Sequence, residues 1–347
     1  MKIKMMCLIL FSVVLILGAC AGSQSNQKAA GNSKEAANDY PSQPIEIIVG
    51  FGEGGGTDTM ARTLQPILQE ELGESIAVRN MPGASSALAL EYVNEQESDG
   101  HTILFQTDLV RVFPTMGMTD LTYKDFEQIG IGAMGIANFT VKDKSDLKTF
   151  DDVIQLLKDG NAKVGVAAIG DPWHLTLEIV NSVVGGDAEI ITYDSGSNAA
   201  MAAMKGEVDF SISGVNEVVD LLRAGDLRSL AVMDNKAFEV DGIESIPPVT
   251  DFVSDLEKYV PEGTWWGPAV KHGTPEEIVT KIRDAYNKAI NSKEFQAFAK
   301  KRAIVLTDIE DSQEYTKEIT EKTSWLLWEI GVGKRSPEEV GISRPKE

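Results

Sequence analysis

The sequence predicts an α/β protein made of two strand-and-helix sets. Residues 45–106 alternate short β-branched strands with helix-spaced apolar positions, and residues 163–233 repeat that alternation. A third observation is size: 347 residues supply enough chain for two domains with sizeable cores.

The first set opens on the strand 45–49, a run of isoleucines and valine. Residues 50–56 form a glycine-rich turn. From Asp58 onward, Met60, Leu64, Ile67, Leu68 and Leu72 fall on one helical face, and Gly73 stops the helix. Residues 75–79 read as the next strand, 87–93 as a helix and 101–106 as a third strand. The weakly polar run 129–141 is long enough to cross from one domain to another.

In the second set, Phe150, Val153, Ile154 and Leu157 line a helix ahead of the strand 163–168. A helix over 175–184, a strand over 189–193, a helix over 199–205 and a strand over 208–213 follow. The helix 217–223 and the strand 228–233 complete it. Ile246-Pro247-Pro248 predicts an extended return, because proline excludes helix and restricts the residue before it. Thr274-Pro275-Glu276-Glu277 then carries a cap, a first-turn proline and a capping-box glutamate for a helix bearing Ile278, Ile282, Ala285 and Ile290. Asp311 and Glu314 start a last helix with Tyr315, Ile319, Leu326 and Ile330.

The N-terminus is not part of this body. Lys2 and Lys4 precede an apolar core over 8–17, closed by Leu17-Gly18-Ala19-Cys20. A basic end, a short apolar core and small residues before a cleavage point make a secretory signal peptide, and the core is too short to span a bilayer. Its ending resembles the bacterial lipoprotein box. That resemblance implies cleavage before Cys20 and lipid on its sulfur, with residues 1–19 removed. Two or more acyl chains anchor stably where one does not. Residues 20–39, rich in Ser, Asn, Ala, Gly and Lys, read as a flexible tether. The only other cysteine, Cys7, leaves with the signal, so stability must come from the core and not from a disulfide. The expected location is extracytoplasmic, on the cell surface or the periplasmic side of a membrane.

The chain carries 53 acidic and 32 basic residues, a formal charge of −21. Such a balance argues against nucleic acid, which requires a basic footprint. No catalytic set is legible. His101, His174 and His272 are far apart without metal-ligand spacing, and no G-x-S-x-G elbow occurs. No enzyme activity, metal or cofactor is expected. His174 reads as a loop-lining or capping residue.

Gly50-Phe51-Gly52-Glu53-Gly54-Gly55 matches G-x-G-x-x-G in form, but the next strand ends in Arg79-Asn80, without the acidic residue of a dinucleotide site. Gly56-Thr57 also lacks the lysine of a P-loop. What the loop retains is a set of backbone N–H groups at a helix N-terminus, suited to a carboxylate or phosphate. The alternative is a tight turn whose donors are taken by Thr57 or Asp58 acting as cap. The loop Asn80-Met81-Pro82-Gly83-Ala84-Ser85-Ser86 also follows a strand, and the two together describe one wall of a cleft. The loops 168–174 and 193–198 hold corresponding positions in the second set and suit an opposing wall. Trp265 and Trp266 either pack the core or line the cleft.

Several ordered segments resemble the solute-binding proteins of tripartite tricarboxylate transporters, the TctC or Bug family. They include Pro44-Ile45-Glu46-Ile47-Ile48-Val49-Gly50-Phe51 leading to Gly54-Gly55-Gly56-Thr57-Asp58, Val78-Arg79-Asn80 with Pro82-Gly83-Ala84, and Asp99-Gly100-His101-Thr102. Tyr123-Lys124-Asp125-Phe126, Gly225-Asp226-Leu227-Arg228, Trp266-Gly267-Pro268 and Gly273-Thr274-Pro275 continue the series. The resemblance implies a type II periplasmic-binding-protein fold: two α/β lobes joined by crossing strands, with a ligand cleft between them. Lobe 1 would hold 40–135 and 245–347, and lobe 2 would hold 136–244. It further implies a pincer on a ligand carboxylate, falling here on Phe51, Gly55, Thr57, Asp58, Pro82, Ala84 and Ser85. Gly170, Asp171, His174, Tyr193 and Ser197 would grip from the other lobe. The implied partners are a small carboxylate-containing solute and the small and large membrane subunits of an ion-driven transporter, the protein itself being a monomer.

The chain departs from the family pattern in places. Gly83-Ala84-Ser85-Ser86 replaces Gly-Ala-Gly-Gly, and Asp171 stands where the family carries serine. An ionised Asp171 facing the cleft, with Asp108 nearby, would repel a second carboxylate and favour a monocarboxylate, amino acid or other zwitterion over a tricarboxylate. The alternative is that Asp171 caps the following helix. Rival functions are the binding subunit of an ATP-driven importer, a ligand-presenting sensor and a lipoprotein enzyme.

Overall fold

A computed structural model describes residues 39–307 and 309–345. Cys20, the signal segment and nearly all of the tether lie outside the described residues. The chain runs β1 (Ile45–Val49), α1 (Gly56–Leu72), β2 (Ile76–Asn80), α2 (Ala87–Glu95), β3 (Thr102–Thr107), α3 (Phe113–Met116), β4 (Phe126–Gln128) and β5 (Ala133–Lys142). Next come α4 (Phe150–Lys158), β6 (Ala162–Val166), α5 (Pro172–Val184), β7 (Ala188–Thr192), α6 (Gly196–Lys205), β8 (Phe210–Gly214), α7 (Val215–Ala224) and β9 (Leu227–Val232). The C-terminal part holds β10 (Gly263–Lys271), α8 (Glu276–Ile290), α9 (Lys293–Lys301), β11 (Val305–Leu306) and α10 (Ser312–Glu329). The α/β class is as expected, and the arrangement is that of a type II periplasmic-binding protein.

Two strands join the halves. The sheet path is β2-β1-β3-β10-β5-β8-β6-β7. β1 pairs in parallel with β2 and β3, as β6 does with β7 and β8. β5 is shared: Ala133 to Ile136 pair antiparallel with β10, whereas Ala137 to Thr140 pair with β8. Residues 245–262, expected with the first lobe, lie against the second: Val232 bridges to Pro248 and the Phe252 ring meets Phe150 at 5.7 Å. The chain crosses back at Glu262, whose carbonyl accepts from Ala137 N at 3.1 Å.

β10 itself is hidden in the sequence by Gly267 and Pro268, which are unfavourable within strands. Both fit here. Gly267 packs so closely on the Gly130 carbonyl that a Cβ would overlap it. Pro268 contributes its carbonyl, which accepts from Ile129 N at 2.9 Å.

Each lobe has its own packing. Ile45, Ile47 and Val49 on one face of β1 are buried with Met60 and Leu64 of α1 and with Ile278 and Ile282 of α8. In the other lobe Phe139 of β5 packs on Phe150 of α4 at 4.7 Å between ring centres and on Phe210 of β8 at 6.2 Å. Full burial of such a ring stabilises by about 1.5–3 kcal/mol. Among the described residues, no helix is long and apolar enough to cross a membrane.

Parallel register gives the fold its functional geometry. Val49 is level with Asn80, so the loops after β1 and β2 emerge side by side. Val166 is level with Thr192, which does the same for the loops after β6 and β7. Four loops at strand C-termini therefore face one another in two pairs, where open α/β sheets bind ligands.

Candidate functional site

Between these loop pairs lies a narrow cavity of about 50 Å³, room for a few water molecules at this degree of closure. Phe51, Gly55 and Thr57 line it from the first lobe and Asp171 from the second, so four of the expected ligand-binding residues meet there. Thr264 and Trp266 of β10 contribute to the wall, together with Glu217 at the start of α7.

The first-lobe wall is the N-terminus of α1. Its cap residue is Gly55, which has no side chain to occupy the free amides. The first intrahelical bond runs from Thr59 N to Gly55 O, which leaves the N–H groups of Gly56, Thr57 and Asp58 ahead of it. Asp58 does not take them. Its carboxylate accepts from Gly54 N, Arg62 Nε and Asn80 Nδ2, each at 2.8 Å, and so ties the glycine loop to β2. The Thr57 hydroxyl accepts from Trp266 Nε1 at 3.2 Å. Trp266 thus serves both readings, core and cleft: it is 1 % exposed and its indole edge fixes a residue of the cavity wall.

Pro82, Ala84 and Ser85 stand outside the cavity lining, at the ends of the facing loops. Ala84, Ser85 and Ser86 have φ of 46°, 52° and 85°, a left-handed turn costly for residues with a Cβ. The turn directs both hydroxyl side chains away from the cavity. Ser86 packs on Gly50, where a Cβ would overlap it, and Ser85 Oγ donates across the cleft to the Ile169 carbonyl at 3.1 Å. Gly170, with φ 84°, approaches Met118 of the first lobe so closely that a Cβ would stand 2.5 Å from its Cε.

Asp171 is the N-cap of α5. Its two oxygens accept from His174 N at 2.7 Å and Ala168 N at 3.0 Å, and the residue is 1 % exposed. Burial pushes its carboxyl up to about 8; the two backbone bonds oppose the rise, and Glu217 and Asp108 add to it. His174 accepts from Gly170 N through Nδ1 at 3.1 Å and faces Glu178 through Nε2 at 3.4 Å. It orders the loop without lining the cavity. Tyr193 lines a separate depression with Asn198 and Lys205. Ser197 lies in a neighbouring pocket, its hydroxyl donating to the Glu217 carbonyl at 3.3 Å.

Asp108 is fully buried behind Thr264, from whose hydroxyl it accepts at 2.8 Å. It pairs with Arg111 at 2.6 Å, and Arg111 also holds Glu262 at 2.5 Å. Burial pushes both carboxyls up while Arg111 pulls them down. This triad joins the turn after β3 to the crossing at Glu262.

Glu217 is the residue that sequence reasoning missed. It accepts from Gly214 N at 2.9 Å and from the Gly196 amide of α6, and burial pushes its carboxyl up to about 7. Its position three residues after Gly214, the spacing of a capping-box glutamate, is the one signal that pointed to it. Among the described residues, no three His, Cys, Asp or Glu side chains are placed to hold a metal ion.

Comparison with known proteins bears on the family and the fold. The chain is 28 % identical over 271 residues to protein BugT of Bordetella pertussis, covering 76 % of this chain and 82 % of BugT. A TctC solute-binding protein from Polaromonas, solved without ligand, is 27 % identical with a TM-score of 0.65, covering 84 % of this chain and 99 % of that one. The periplasmic binding protein BugD shares the fold at a TM-score of 0.77 with 22 % identity, covering 85 % of this chain and 100 % of that one. The family model described as tripartite tricarboxylate transporter family receptor matches residues 60–327. With most of its folded body inside that match, the chain belongs to the tripartite tricarboxylate transporter receptor family.

Proposed function

We propose that this receptor captures a small carboxylate-bearing solute outside the cytoplasm and delivers it to the small and large membrane subunits of a tripartite, ion-driven transporter. The observation that carries the reading is the α1 N-terminus, whose cap Gly55 leaves its amides to the cavity. Backbone N–H groups and the helix dipole together stabilise an anion there without any basic side chain. A net charge of −21 does not oppose this, since the site acts at contact distance and surface charge is screened over about 8–10 Å. The solute's other end lies against the loops after β6 and β7. Closure turns on the crossings at β5 and at Glu262, where backbone torsions absorb the movement.

The anchor in this reading is lipid on Cys20, with the tether holding the receptor near its membrane partners. Family membership favours this function over an ATP-driven importer. Mass spectrometry of solute released from the purified protein tests it. A bound acid with at least one carboxylate is expected, and a retained solute without one would contradict the reading.

A further inference from the structure

The N-termini of α1, α5 and α6 meet at the cavity beside the start of α7, whose Glu217 takes the Gly214 amide at 2.9 Å, and they are not equivalent. The amides of α1 are capped by no side chain. At α5 the first residue, Pro172, has no N–H, Asp171 takes the His174 amide at 2.7 Å, and its second oxygen takes Ala168 N in the preceding loop at 3.0 Å. At α6, Ser195 Oγ accepts from Asn198 N at 3.1 Å, and Glu217 accepts from the Gly196 amide. Gly196 approaches Glu217 so closely that a Cβ would overlap the carboxylate. The second lobe's anion-binding positions are thus filled by carboxylates belonging to the protein.

We propose that Asp171 and Glu217 stand in for a ligand's second carboxylate, and that Glu217 is a specificity-determining residue restricting the cleft to solutes with one carboxylate. This rests on the carboxylate-receptor reading and names the solute class: one carboxylate on α1, and a hydroxyl, amide or ammonium toward the second lobe.

The surroundings support the assignment. Asp194 adds a third acidic group to the cavity wall, and no lysine, arginine or histidine is among its lining residues. Arg302, which draws Glu217 toward ionisation, lines the neighbouring pocket and is held by Asp220 at 2.7 Å. A second ligand carboxylate would find the His174, Ala168 and Gly214 amides already taken, and would meet like charge from the ionised fraction of Glu217. A hydroxyl or ammonium group can instead donate to the acceptor positions that Asp171 and Glu217 retain.

Calorimetry with chain-matched ligands tests this: butanoate, 4-aminobutanoate and succinate, followed by the same three types at two to eight carbons. The wild-type protein should bind a monocarboxylate or amino acid at least tenfold more tightly than the dicarboxylate of equal length. Glu217→Gln, which removes the charge, should shrink that preference at least fivefold. Asp171→Ser, which retains a side-chain cap for α5, should shrink it as well. A helix cap with no role in selectivity would change stability and leave the preference untouched, which would overturn the proposal. Dicarboxylate binding as tight as monocarboxylate binding in the wild type would overturn it too, with the receptor reading intact. Failure of every carboxylate to bind would remove both.

Discussion

Replacing Arg111 by methionine should destabilise the protein by about 3–5 kcal/mol at neutral pH, the cost of leaving buried carboxylates without their cation. Arg111 holds Asp108 at 2.6 Å and Glu262 at 2.5 Å, and its backbone carbonyl accepts from Ser324 Oγ at 2.9 Å. It therefore ties the turn after β3 to the crossing strand and to α10. Methionine fills much of the volume but answers neither charge.

The sign of the pH dependence follows from burial. Both carboxyls are raised in the folded protein and rise further without Arg111. Groups raised on folding favour the native state while protonated and lose that contribution as pH climbs through their folded values. The variant's deficit should accordingly be largest above neutrality and shrink as pH falls toward the ordinary carboxylate range. Urea denaturation at a series of pH values measures it. A deficit below about 1 kcal/mol at neutral pH, within the range of exposed ion pairs, would show that the triad contributes little.

The second large effect concerns binding. Gly56→Pro should lower affinity for the carboxylate solute at least tenfold with little loss of stability. Gly56 is the first residue of α1, a position where proline is well tolerated because its missing N–H has no intrahelical partner. Gly55 has φ −69° and ψ 171°, the extended conformation required before proline. The substitution thus deletes the amide proposed to bind the ligand and leaves the helix standing. A hydrogen bond to a charged group contributes about 1.5–3 kcal/mol, which sets the expected scale. Gly56→Ala is the control: it keeps the N–H, and its Cβ would stand 3.3 Å from Trp266 Cζ2. Calorimetry should show a much larger loss for the proline variant than for alanine. Equal losses would mean that crowding, and not the amide, governs binding.

Much of this molecule is written locally in its sequence. The β1–α1 unit follows from a β-branched run, clustered glycines and helix-spaced apolar residues, and the same logic recovers β6 through β9. β10 escaped because Gly267 and Pro268 argue against a strand until the close approach to Gly130 is known. The left-handed turn at Ala84, Ser85 and Ser86 was equally hidden, since nothing in those residue types calls for positive φ. At the site, the turn of clustered glycines into an open helix N-terminus was legible because its physics is backbone physics. Whether Asp58 and Asp171 spend their oxygens on local amides or on a ligand depends on side-chain direction, which spacing leaves open. Glu217 reads as a helix cap in sequence, and only the packing of α6 against α7 brings it to the cavity.

A crystal structure with a carboxylate solute bound tests the central claim most directly. One ligand carboxylate should lie within hydrogen-bonding distance of the Gly56 and Thr57 amides at the start of α1, in the cavity between the two lobes. A carboxylate held by the second-lobe loops, with the α1 amides left to water, would contradict it.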